Sequence, residues 1–206
     1  HTPRNPLRRT YRPMYRRARK TCISLPAVPI AKRLLPLFIL PLTVGMTEHA
    51  PTRKAMEKQY TFPYRQYTLP DGATPEERLL IEEARKAAQG AYAPFSGYRV
   101  GAAARLASGR IITAANQESE VFPAGLCAER VLLFSHLATD PEDRITALAI
   151  ASVPDDTECC PCGGCRQVML DTMRRQGTPF RIIMSSGQSA TVVDSPACLM
   201  PFPFGL

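Results

Sequence analysis

No apolar run in this chain is long enough to cross a membrane. The best candidate, Leu34 to Val44, spans about eleven residues and is broken by Pro36 and Pro41, whereas a spanning helix needs ~20. Acidic residues are nearly missing from the first 55 positions. Glu48 alone stands there against twelve Lys and Arg, a balance of +11, while the remainder carries 14 basic and 17 acidic residues, a balance of −3. The formal charge of +8 therefore belongs to the N-terminal segment and describes no basic face on the rest of the chain. There is no internal repeat. No clean small-x-small cleavage site follows the apolar run, and the basic stretch before it is far too long for a signal peptide. The seven cysteines are odd in number and lack a secretory context, which argues against a disulfide framework.

Residues 1–55 hold eight prolines and the cluster Arg16-Arg17-Ala18-Arg19-Lys20, without helical or strand period. They read as a non-globular, disordered arm. The chain opens with His1, and Met46 or Met56 would make ordinary starts. An extension without function is the expectation for this arm, ahead of a targeting segment or a binding arm. Residues 56–206 are expected to form the catalytic domain.

From Thr74 onward the pattern becomes regular. Thr74-Pro75-Glu76-Glu77 supplies an N-cap, a proline at the first helical position and a glutamate at the third. Leu79, Leu80, Ala84, Ala87 and Ala88 form an apolar face before Gly90. The loop YAPFSG follows. Tyr98 to Ala107 and Arg110 to Ala115 flank Ser108-Gly109 as a hairpin. A helix begins near Cys127 and continues through Val131 to Leu137, and Ile145 to Ser152 reads as a buried strand. Cys162 to Arg175 is a second amphipathic helix bounded by Gly177 and Pro179. Phe180 to Met184 and Thr191 to Val193 read as short strands. The order α-β-β-α-β-α-β-β implies one α/β domain with a sheet flanked by helices.

Three cysteines have the logic of a metal site. Cys162-Gly163-Gly164-Cys165 places two thiols one turn apart at a helix start behind Pro161, and Cys127 begins another helix. Zinc takes thiolates in a tetrahedron, and a catalytic site leaves one of the four positions to water. Three thiolates leave a net charge of −1, which helix N-termini partly offset. Arg130 and Arg166, each next to a motif residue, are positioned to hydrogen-bond the sulfurs. Glu129 adds a carboxylate that does not ligate. Residues i and i+2 do not share a helix face, so Cys127 and Glu129 converge only if Cys127 lies in an irregular turn, which Gly125 permits. A carboxylate there can take a proton from the metal's water and return it to a leaving group.

CAE at Cys127 to Glu129 and PCGGC at Pro161 to Cys165 match the Cys₃ variant of the zinc deaminase signature. With YAPFSGYRVGAAA, NQESEVFPAGLCAER, PCGGCRQVML and LMPFPFG in order, the chain from about Tyr64 to Leu206 resembles the tetrameric, Cys₃-zinc cytidine deaminases. The resemblance implies a three-layer α/β/α fold with a mixed five-stranded sheet. It implies one zinc per subunit on Cys127, Cys162 and Cys165, with Glu129 as the proton shuttle. It further implies that the Ala128 backbone holds the pyrimidine carbonyl, that Asn116 and Glu118 bind ribose, and that Tyr98 packs on the base. Phe204 corresponds to the C-terminal aromatic that a neighbouring subunit contributes, so a homotetramer with shared sites is expected. The substrate is expected to be a small nucleoside, with no nucleic acid and no membrane as partner, in the cytoplasm.

Some positions depart from the family pattern. Glu120 stands where a small residue is common, Phe122 where a Tyr is frequent, and Tyr98 where a Phe is usual. Other readings of the residues stay open. Cys159, Cys160, Cys162 and Cys165 can form a structural zinc knot, which leaves CAE and NQE without a role. Cys22, Cys198 and the Cys159-Cys160 pair read as non-catalytic thiols, and His136 as a structural histidine. The expected function is hydrolytic deamination of cytidine and deoxycytidine in pyrimidine salvage. Alternatives are deamination of a nucleoside analogue such as blasticidin S, or a zinc-stabilised nucleic-acid-binding module.

Overall fold

The structure, a computed structural model, describes residues 56–205; the expectation of a disordered arm over residues 1–55 lies outside the described residues. Three α-helices are seen among the described residues: α1 (Pro75–Ala88), α2 (Ala128–Thr139) and α3 (Gly163–Gln176). Thr74 caps α1 as its sequence requires. The hydroxyl accepts from the Glu77 N–H, and the Glu77 carboxylate accepts from the Thr74 N–H, closing the capping box. Gly177 ends α3 in the left-handed conformation, φ +72°, where glycine has no side chain to strain.

Six strands form a single sheet: β1 (Arg65–Thr68), β2 (Arg99–Leu106), β3 (Ile111–Ala115), β4 (Ile145–Val153), β5 (Arg181–Ser185) and β6 (Ser189–Val193). Their order is β1-β6-β5-β4-β2-β3. Only β4 and β5 run parallel, the other neighbours being antiparallel. The sheet is thus mixed, as expected, but it has six strands rather than five. The additional strand is β1, four largely exposed residues at the sheet edge. It has too little apolar alternation to announce itself.

Both faces of the sheet are covered, and the period of two shows how. Leu148 and Ile150 of β4 and Ile182 and Met184 of β5 enter one core with Leu132, Leu133 and Met169 from α2 and α3. The intervening Ala149, Ala151 and Ile183 enter a second core with Leu80, Ile81 and Ala84 of α1. Small residues on β2 let α1 sit close. A Cβ at Gly101 would fall 1.9 Å from the Ala84 carbonyl oxygen and 2.5 Å from the Ala88 nitrogen. None of the described helices is long and apolar enough to cross a membrane.

Candidate metal centre and adjoining cleft

Two helix N-termini meet at the thiols. Cys127 is the N-cap of α2, extended at φ −66°, ψ 154°, and Cys162 is the N-cap of α3, extended at φ −66°, ψ 166°. Cys127 therefore stands outside the helical repeat, which removes the obstacle to its meeting Glu129. Gly125 does not use a left-handed conformation for this turn, with φ −65°. Its value is close approach, because a Cβ there would lie 3.3 Å from the carbonyl oxygens of Gln117 and Phe122.

The Cys162 Sγ accepts from the Cys165 N–H at 3.4 Å, a thiol acting as helix cap. The same turn leaves the Cys162 and Cys165 sulfurs 3.4 Å apart, with Cys127 Sγ 3.9 Å from Cys162 Sγ. All three sulfurs lie within 4.8 Å of one another. A tetrahedral zinc with Zn–S near 2.3 Å requires S···S separations of about 3.8 Å, so the donor set fits one zinc. It is the one such cluster among the described residues, and Cys159 and Cys160 lie outside it. The structural-knot alternative needed both of those residues.

The protonation pattern is asymmetric. Cys127 is brought down to about 5, chiefly by the neighbouring Cys165 thiol, against burial and with help from Arg130. Cys165 is pushed up, first by the thiolate it serves and then by burial. Arg130 Nη2 reaches Cys127 Sγ at 3.8 Å. Arg166 does not play the matching part: its Nε donates to the Pro161 carbonyl at 2.9 Å, fastening the turn before α3, and makes no hydrogen bond to sulfur. The expectation of a sulfur contact is corrected to a contact with the backbone.

Glu129 is 3% exposed, and its Oε2 has no hydrogen-bond partner. Burial raises its pKa to about 7, and the charge of Cys127 adds to the shift. A buried, unpartnered carboxylate oxygen beside three thiols marks a place for a ligand. Ala128, fully buried, precedes it in the first turn of α2.

A cleft of about 490 Å³ opens onto Cys127, with Phe95, Asn116, Glu118, Phe122 and Arg130 in its wall. Backbone bridges build it. Gln117 pairs with Leu126 in both directions at 2.9 Å, while Tyr92 N–H donates to Asn116 O and Glu118 N–H to Tyr92 O. Residues 116–118 are thereby stitched between the YAPFSG loop and the approach to α2. Phe95 and Phe122 meet edge to face, with centroids 5.6 Å apart. Asn116 Oδ1 accepts from Val100 N–H at 2.8 Å and its Nδ2 donates to the Tyr98 carbonyl at 3.0 Å. One lone pair and one N–H of the amide remain for a ligand.

Glu118 is engaged by the loop. It accepts from the Phe95 N–H at 2.8 Å, the Ser96 N–H at 3.3 Å and the Ser96 hydroxyl. The Ser96 hydroxyl first, then the Phe95 N–H, hold its carboxyl below the usual range against burial. Tyr98 is not in the wall of this cleft. Burial raises its phenol, and Ser152 and Cys159 are its side-chain neighbours. Cys159 is itself pushed up to about 11 by burial, which suits an unreactive thiol. Phe204 is also outside the cleft: its N–H and C=O pair with Gln167 at 3.0 Å each, and its side chain is 74% exposed. The motif reading overlooked Ser96 as a site residue. The only local signal was a hydroxyl before Gly97, whose φ of +70° turns the loop back on itself.

The family model for the cytidine and deoxycytidylate deaminase zinc-binding region matches residues 75–176. The chain is 41% identical over 97 residues to a cytidine deaminase of Halalkalibacterium halodurans, covering 47% of this chain and 71% of that protein. It is 39% identical over 93 residues to a cytidine deaminase of Mycobacterium tuberculosis, covering 45% and 68%. The crystal structure of cytidine deaminase from Burkholderia pseudomallei superposes with a TM-score of 0.55 at 33% identity, over 62% of this chain and 98% of that one.

Proposed function

The chain belongs to the zinc-dependent cytidine and deoxycytidylate deaminase family, and from that premise we propose that it hydrolyses cytidine and deoxycytidine to uridine and deoxyuridine with release of ammonia. The observation that carries this reading is the unpartnered Oε2 of buried Glu129 beside three thiols spaced for one metal ion. Cys127, Cys162 and Cys165 would hold the zinc. A zinc ion bound by them supplies Lewis-acid polarisation of a water and lowers its pKa towards neutrality.

The residues of the chain do the rest. Glu129, whose carboxyl is raised by burial, takes a proton from the attacking water and delivers it to N3 of the ring. As the oxygen bonds to C4 and the C4–N4 bond breaks, the same carboxyl carries the second proton to the departing ammonia. Arg130 donates to the Cys127 sulfur and draws charge away from the donor set, which keeps the water acidic. The backbone of Ala128 holds the pyrimidine carbonyl. Asn116 and Glu118, in the cleft wall, bind the sugar, and Phe95 and Phe122 exclude water around it.

The exposed ring of Phe204, held by its backbone to α3, supports donation to a neighbouring copy in a homotetramer. Tyr98 lies outside the wall of this cleft and turns towards Cys159, so its contact with the base is proposed from the family pattern alone. Free thiols in the donor set support a reducing, cytoplasmic setting. Zinc-loaded protein mixed with cytidine should abolish the absorbance of the 4-amino chromophore, and chelation should stop the loss until zinc is restored. Cytidine left intact by zinc-loaded protein would reject the reading, and turnover of blasticidin S instead would move the substrate to the nucleoside analogues.

A further inference from the structure

We infer that Ser96 is a positioning residue for substrate choice, leaving Glu118 one open acceptor site for one hydroxyl of the nucleoside sugar. The inference rests on the reading of the cleft as a nucleoside pocket. An ionised carboxylate offers about four acceptor positions. On Glu118, Oε2 takes both the Phe95 N–H at 2.8 Å and the Ser96 N–H at 3.3 Å. Oε1 takes the Ser96 hydroxyl. Three positions are filled from the loop, which leaves the fourth on Oε1, and Glu118 lines the cleft that opens onto Cys127.

Ser96 is held in place from the other side as well. Its oxygen accepts from the Tyr98 N–H at 3.0 Å, an arrangement made possible by the left-handed Gly97 between them. With that lone pair occupied, the single hydroxyl proton is directed to Glu118. The carboxylate is thus clamped on both oxygens. Without the Ser96 hydroxyl, Oε1 would have two open positions and the carboxylate could pivot about the Oε2 contacts. Water would then compete for the sugar's place.

A clamp of this kind acts on the sugar and not on the ring. Removing it should penalise substrates that carry the sugar hydroxyls and spare those that lack them. The test compares cytidine with 2′,3′-dideoxycytidine in the chromophore assay. Ser96→Ala should lower kcat/KM for cytidine roughly tenfold, mostly through KM, and leave dideoxycytidine nearly unchanged, since a hydrogen bond to a charged group is at stake. Ser96→Thr, which keeps the hydroxyl, should restore cytidine. Equal losses for both substrates, or no loss for either, overturn the inference.

Glu118→Gln separates this inference from the reading beneath it. That variant should narrow the parent's preference for cytidine over dideoxycytidine, Asn116 holding the remainder, and if no such preference exists or it is undiminished, the sugar role of Glu118 fails and the inference with it. If Glu118→Gln narrows the preference while Ser96→Ala leaves it unchanged, the sugar role stands and Ser96 alone is refuted. Where Ser96→Ala does not fold, Ser96→Cys supplies a similar volume with a weak donor. Full retention of cytidine activity by that variant also overturns the assignment.

Discussion

A carboxylate oxygen with no partner is expensive to bury, and Glu129 is buried to 3% exposure with Oε2 unsatisfied. The same burial supplies its use. It places the pKa at about 7, where a group can both accept and return a proton at neutral pH. Glu129→Gln keeps the shape but cannot carry the proton, so kcat should fall by roughly 10²- to 10⁴-fold while the zinc content of the purified protein stays at one per chain. A variant that kept most of its rate would falsify the shuttle. At this scale the sequence was most informative where spacing is covalent. CAE and PCGGC fix which residues flank each helix start, and the N-cap conformations then follow. Partners from elsewhere in the chain were not legible. Arg166 could be read as a sulfur donor because it adjoins a ligand, yet its side chain turns back to Pro161. The proximity of Ser96 to Glu118 depends on a loop closing across 22 residues.

The helix α1 carries a second buried carboxylate with a different purpose. Glu77, 2% exposed, closes the capping box and accepts from the Tyr67 hydroxyl, Arg65 and Arg181, tying β1, α1 and β5 together. Burial pushes its carboxyl up, but the Thr74 N–H, Tyr67, Arg65 and Arg181 outweigh that and the net shift is downward. A folded-state pKa below the unfolded one gives stability that is present above about pH 4.3 and lost as pH falls through the folded value. Glu77→Ala should therefore cost about 1–3 kcal/mol at neutral pH in urea unfolding, with the gap to the parent narrowing below about pH 4. A gap of the same size at acid pH would assign the loss to packing instead of charge. The capping box was visible in TPEE because its members are three residues apart. The strand β1 was not, since its four residues are mostly exposed and gain their place by pairing with β6. The longer strands were legible because both faces of β4 and β5 are buried, which demands continuous apolar runs.

Along the sequence, chemistry and charge are segregated. Among the described residues, the groups assigned to the metal, the proton and the sugar fall between Asn116 and Cys165, with the loop around Ser96 bracing the cleft. The excess of positive charge falls instead in residues 1–55, with a balance of +11 against −3 for the remainder. If the arm took part in substrate capture, its field would act over about one Debye length, ~8 Å at physiological ionic strength, and its loss would appear in KM at low salt. Cytidine and deoxycytidine carry no net charge, so such a field has little to hold on to. A chain beginning at Met56 should therefore retain its zinc and an unchanged kcat/KM for cytidine at low and high salt. The same truncation should abolish retention on a cation exchanger at neutral pH, because the remaining formal charge is negative. A large fall in kcat/KM for the zinc-replete truncated chain would show instead that the arm contributes to the site or to its assembly. A fall confined to low salt would identify the contribution as electrostatic.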